Sequence, residues 1–165
     1  MGDFLTWVEG LALSSFVRES GSLWAFPMFL FMHTLGLSLV AGGSAIIDFA
    51  LLGMWPAQSP IKPLERLYPM IWAGFWLNAF TGLGLLMADA STKGMNPDFW
   101  VKMIFVAIGV TLLLRIKKRV FSNPQLDNGP LPGGARTLAL ASLFCWVGAI
   151  IAGRLIAYVG PVVGI

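Results

Sequence analysis

The sequence predicts an all-α integral membrane protein: a four-helix transmembrane bundle preceded by an N-terminal amphipathic helix at the interface. Three observations lead there. The chain of 165 residues is 57% hydrophobic and 12% charged, with a mean hydropathy of +0.78, well beyond the roughly half-apolar makeup of soluble domains. Four apolar segments reach the roughly 20 residues that a 30 Å hydrocarbon core requires at 1.5 Å per residue. Between them stand the proline- and glycine-rich stretches WPAQSPIKP, STKGMNP and SNPQLDNGPLPGG, where helices cannot easily continue.

The N-terminal stretch 3–18 places Phe4, Leu5, Val8, Leu11, Ala12, Ser15 and Phe16 at helical spacing, with Asp3, Glu9 and Arg18 away from them. It is too short and too polar to cross the bilayer, and reads as a helix in the headgroup plane anchored by Trp7. The first span is expected over about 23–52, the second over 68–88, the third over 99–114 with a basic tail from Arg115, and the fourth over 137–158. Entry to the third is marked by Asn96 as N-cap, Pro97 at the first helical position and Asp98 at the positive end of the dipole. The whole chain reads as one transmembrane domain, and the lipid bilayer is its first partner.

Lysine and arginine are distributed unequally. Lys62, Arg66, Arg115, Lys117, Lys118, Arg119 and Arg136 fall on one side; Arg18, Lys93, Lys102 and Arg154 fall on the other. By the positive-inside rule the first side is cytoplasmic, which puts both termini outside, in the periplasm if the membrane is a bacterial inner membrane. A pI near 9.4 therefore reflects topology and attraction to anionic lipid, not nucleic-acid binding. Trp24, Trp55, Trp100, Tyr68 and Tyr158 fall near span ends, as belt residues do. The single cysteine, Cys145, excludes an intrachain disulfide and a cysteine metal site.

The chain's one histidine, His33, falls near the midplane of the first span. An ionisable group at that depth is costly and faces protein or a polar cavity. At 100° per residue Gly36, Val40, Ser44 and, less closely, Asp48 share its face, and Ser38 and Gly42 form a small-xxx-small pair nearby. Three readings of His33 are open. It can hydrogen-bond a neighbouring helix, with Asn78 or Thr81 of the second span as partner, in an accessory subunit or homo-oligomer whose His33 face packs or binds a ligand. It can be the axial ligand of haem b or bind copper, with Met87 or Met103 as a second ligand and Arg154 on a propionate. It can line, with Asn78, Thr81 and Asp48, the polar path of a copper or small-solute permease.

Arg154 is expected to snorkel, with Asp89 as its partner; Asp48 is expected to pair with Lys62 or Arg66, the alternative being the inner end of a proton route that starts at His33. No catalytic triad, paired-carboxylate site, phosphate loop or zinc motif occurs, so an enzyme has no support in the residues.

Three segments, HTLGLSLVAGGSAIIDFALLG, NPDFWVK and GRLIAY, together resemble a family of uncharacterised bacterial inner-membrane proteins of about this length. The pattern comprises a histidine–glycine motif, a DLRLLG-like end of the first span, an N-P-x-F-x-x-K entry to the third, and a G-R-x-x-A-Y terminus. The resemblance implies four transmembrane helices and singles out His33, Gly36, Asp48, Gly53, Asn96, Pro97, Lys102, Gly153, Arg154 and Tyr158. Phe49 and Ala50 stand where that pattern has Leu and Arg. A looser likeness, resting on the histidine-bearing bundle, is to copper-resistance membrane proteins and small b-type cytochrome anchors.

Overall fold

The computed structural model describes residues 25–158 apart from 57, 58, 125 and 128. The expected interfacial helix, with Trp7 and Arg18, and the expected belt residue Trp24 lie outside the described residues. All regular structure among the described residues is helical: α1 (Ala25–Leu51), a 3-10 turn (Lys62–Leu67), α2 (Tyr68–Met87), a short α3 (Ala90–Gly94), α4 (Pro97–Ile116) continued by a π-helical turn (Lys117–Phe121), and α5 (Ala135–Tyr158). Four of these helices are long and apolar enough to cross a membrane, so the chain is a multi-pass membrane protein with a four-helix bundle fold.

The helix ends follow from local chemistry. Asn96 caps α4 by accepting the Asp98 amide at 2.8 Å, ahead of Pro97 at the first position. At the far end of α1 the amide of Met54 donates to Phe49 O and that of Gly53 to Ala50 O, with Gly53 at φ +89°. This pairing is a Schellman close, and glycine is the residue that takes its left-handed position without cost.

Lipid tails are as apolar as leucine, so the helices gain little from hydrophobic attraction and associate through close packing. The α1–α2 and α4–α5 pairs pack most extensively, and α1 joins them by lying against α5. Between α1 and α2 the approach is backbone on backbone: a Cβ on Gly36 would stand 2.8 Å from Gly74 O and 2.7 Å from Asn78 N. The small pair foreseen at Ser38 and Gly42 is not part of this seam. Both are exposed, and Gly42 has nothing within 4 Å of a built Cβ. The helix is rotated so that Gly36, Val40, Gly43, Ser44, Ile47 and Asp48 face inward. Between α4 and α5 glycines receive aromatic rings instead, Gly109 taking Trp146 and Gly148 taking Phe105.

Core packing concentrates at the end of the bundle where the basic residues lie. There Ile47, Leu51, Tyr68, Ile71, Ile116, Val120 and Phe121 form one buried cluster. Tyr68, expected in the interfacial belt, is 2% exposed; its hydroxyl donates to Leu113 O at 3.2 Å and its ring meets Phe121 edge-on. Asp127 ties the two loops at this end, accepting the amides of Ile61 and Lys62 at 2.6 and 3.0 Å. The opposite half is less filled, and it is there that His33 stands.

Candidate functional site

His33 projects from α1 toward α2, and Gly82 makes room for it: a Cβ there would come within 2.9 Å of the imidazole Cε1. The Nδ1 atom is 3.0 Å from the Asn78 carbonyl and 3.2 Å from Thr81 Oγ1. A carbonyl only accepts, so Nδ1 carries the hydrogen and donates. The Thr81 hydroxyl donates to Leu77 O at 2.6 Å, leaving its oxygen free to accept from Nδ1 as well. The Asn78 amide returns a hydrogen bond to the His33 carbonyl at 2.7 Å. Asn78 and Thr81 are the partners that helical spacing put on one face of the second span, although Asn78 takes the imidazole with its backbone.

With Nδ1–H committed, the neutral ring turns its Nε2 lone pair the other way. Lys102 Nζ of α4 stands there, 3.5 Å from Nε2. Both side chains line a cavity of about 250 Å³ between α1, α2, α4 and α5. Its other walls are almost wholly apolar, with Phe75, Leu83, Phe99, Met103, Val106 and Trp146 among them. The site is thus a donor and an acceptor side by side on the wall of an apolar chamber.

Lys102 is the member that charge counting missed: it entered the sequence argument as one of four outer cations and as the lysine of the NPDFWVK resemblance. The available signal was its place inside the third span, where a lysine reads as functional by default.

Other expected members lie elsewhere. Met103 lines the cavity, but Met87 and Arg154 are not among the lining residues, and Arg154 is exposed. Asp89 forms its ion pair with Lys93, at 3.8 Å. Asp48 pairs with neither Lys62 nor Arg66: it is fully buried, and Lys62 turns outward to Glu65 at 3.2 Å and to the Phe121 carbonyl. Burial by α5 on one side and by the core cluster on the other separates the carboxylate from the exposed lysine. Among the described residues no group of three or more His, Cys, Asp or Glu side chains could hold a metal ion. Of the candidate ligands named from the sequence, the cavity is lined by His33 and Met103.

No family model, curated protein or solved structure matches the chain.

Proposed function

We propose that this is a membrane-embedded binding protein whose cavity holds an apolar molecule with an oxygen-bearing head. The observation that carries the reading is the pairing of His33 and Lys102 at 3.5 Å on the wall of an otherwise apolar chamber. Ligand sites have this form, largely hydrophobic with a few convergent polar groups that fix orientation. The Lys102 amino group donates and His33 Nε2 accepts, so a head with a carbonyl or carboxylate beside a hydroxyl would satisfy both. A volume of about 250 Å³ matches a ring-sized head, close to the roughly 300 Å³ lower end of small-molecule pockets. The described loops hold no folded domain outside the bundle, which supports a role among other membrane subunits or further copies of the chain. By charge distribution the basic end is cytoplasmic, and the resemblance of the three sequence segments points to a bacterial inner membrane.

Solvent extraction of the purified protein followed by mass spectrometry tests the reading. The wild type is expected to yield an oxygen-headed apolar compound that is lost from both His33→Ala and Lys102→Met. Identical extracts from all three proteins would remove the proposal.

One observation favours a second reading. Histidines that ligate metals hold their other ring N–H on a carbonyl or carboxylate, as His33 Nδ1 does on Asn78 O. Haem b on Nε2, with Met103 lining the same cavity, would need the Lys102 side chain to swing away. A Soret band that disappears in His33→Ala is its expected mark, and a colourless preparation from haem-replete cells rejects it.

A further inference from the structure

Below the cavity, toward the basic end, lies a second polar group of residues. Ser44 and Asp48 are one turn apart on α1, each 1% exposed, and Ser142 on α5 is 0% exposed. The Ser142 hydroxyl stands beside the Asp48 carboxyl. Yet Asp48 Oδ2, Ser44 Oγ and Ser142 Oγ are buried with no protein hydrogen-bond partner, and among the described residues no ion pair reaches Asp48. One turn along α5 the indole Nε1 of Trp146 is likewise buried and unpartnered. Trp146 also lines the cavity together with Val40, which is one turn before Ser44. Two facing helices thus carry unpartnered polar atoms on successive turns, from the cavity floor down to a carboxyl.

Buried polar groups without protein partners are ordinarily satisfied by ordered water, and a carboxylate without a counter-ion is not stable inside a bilayer. Both demands point the same way. We propose that Asp48 is a proton-exchange site, reached from the His33–Lys102 cavity through waters held by Trp146, Ser44 and Ser142. In each exchange the carboxyl O–H breaks as a water takes the proton, and it reforms with a proton returned along the file, so charge is conserved and nothing is oxidised.

The groups that face Asp48 leave it this role. Ser44 comes from its own helix and Ser142 from α5. From α2 comes Tyr68, whose hydroxyl is committed to Leu113 O of α4 and whose ring lies under Lys117 Nζ at 5.1 Å. The proposal needs water only at the polar His33–Asn78–Lys102 side of the cavity, not in its apolar remainder, and does not require the ligand proposed for it. Extraction and exchange measurements therefore fail independently.

Infrared spectroscopy of the full protein in lipid, with transfer from water to deuterium oxide, tests it. The wild type is expected to show a protonated-carboxyl carbonyl band that is missing in Asp48→Asn and displaced in Asp48→Glu, the second variant serving if the first does not fold. The band should shift on deuteration, and several-fold more slowly in Ser44→Ala and Ser142→Ala. A wild type without such a band, or with one present only in sodium-free buffer, would mean an ionised Asp48 bound to a cation and overturn the proposal. Deuteration at the wild-type rate in both serine variants would overturn the route.

Discussion

The imidazole of His33 owes its orientation to atoms that belong to another helix, and its space to a missing side chain. Adding a Cβ at Gly82 places a carbon 2.9 Å from Cε1, so the ring must tilt off the Asn78 carbonyl. Gly82→Ala is expected to destabilise the protein by about 1–3 kcal/mol, the usual cost of overpacking, and to lose any cavity-bound compound. Gly42→Ala, whose added methyl meets nothing within 4 Å, should leave both unchanged; thermal unfolding in detergent with parallel extraction reads the pair. At Tyr68 the expected effect is smaller. Tyr68→Phe removes the hydroxyl that donates to Leu113 O and should lower stability by about 0.5–1.5 kcal/mol, measured in the same unfolding assay. At this scale the sequence was partly legible. A histidine flanked by apolar turns had to find polar partners, and the helical period put Asn78 and Thr81 together. Lys102 is remote from His33 along the chain; its place inside the third span marks it as inward-facing, but no local pattern pairs it with His33.

Helix existence was legible from composition, and the ends of α1 and α4 from Gly53 and Asn96, because these depend on contacts within a few residues. Helix rotation was legible in part: Gly36, Val40, Ser44 and Asp48, which helical spacing put on the face of His33, do turn inward, whereas the Ser38/Gly42 pair is exposed. Ser38/Gly42 and Gly36/Val40 have the same spacing, and which pair meets the neighbour is decided by the surface of α2, where Gly74 opens a notch. The test of that seam is steric. Gly36→Ala and Gly74→Ala each set a carbon within 3 Å of backbone or a Cβ atom of the facing helix, and backbone cannot step aside as a flexible side chain does. Each substitution must push α1 and α2 apart along much of their length. The expected loss is at the upper end of about 1–3 kcal/mol or beyond it, larger than for Gly82→Ala, where a side chain absorbs part of the strain. Equal losses at all three positions would argue that the α1–α2 approach is looser than described.

For the molecule as a whole, the bundle provides the means to test which end faces the cytoplasm. The two loops at the basic end are joined through Asp127, so Met54 and the connection between α4 and α5 lie on one side of the membrane, while Met95, between α3 and α4, lies on the other. The positive-inside rule assigns the first side to the cytoplasm, since Lys62, Arg66, Arg115, Lys117, Lys118, Arg119 and Arg136 gather there against Lys93, Lys102 and Arg154 among the described residues. Lys102 weakens the opposing count further, because a lysine drawn into the cavity beside His33 acts as part of a site more than as a flanking charge. Met54 and Met95 are 71% and 77% exposed, and the native thiol, Cys145, is 5% exposed. Single cysteines at the two methionines therefore report sidedness with little background. Met95→Cys in intact cells with a permeable outer membrane is expected to react with a membrane-impermeant maleimide, and Met54→Cys only after the inner membrane is opened. The reverse order would place His33 and its cavity in the cytoplasmic half and Asp48 near the outer face, inverting the direction in which the proposed proton file runs.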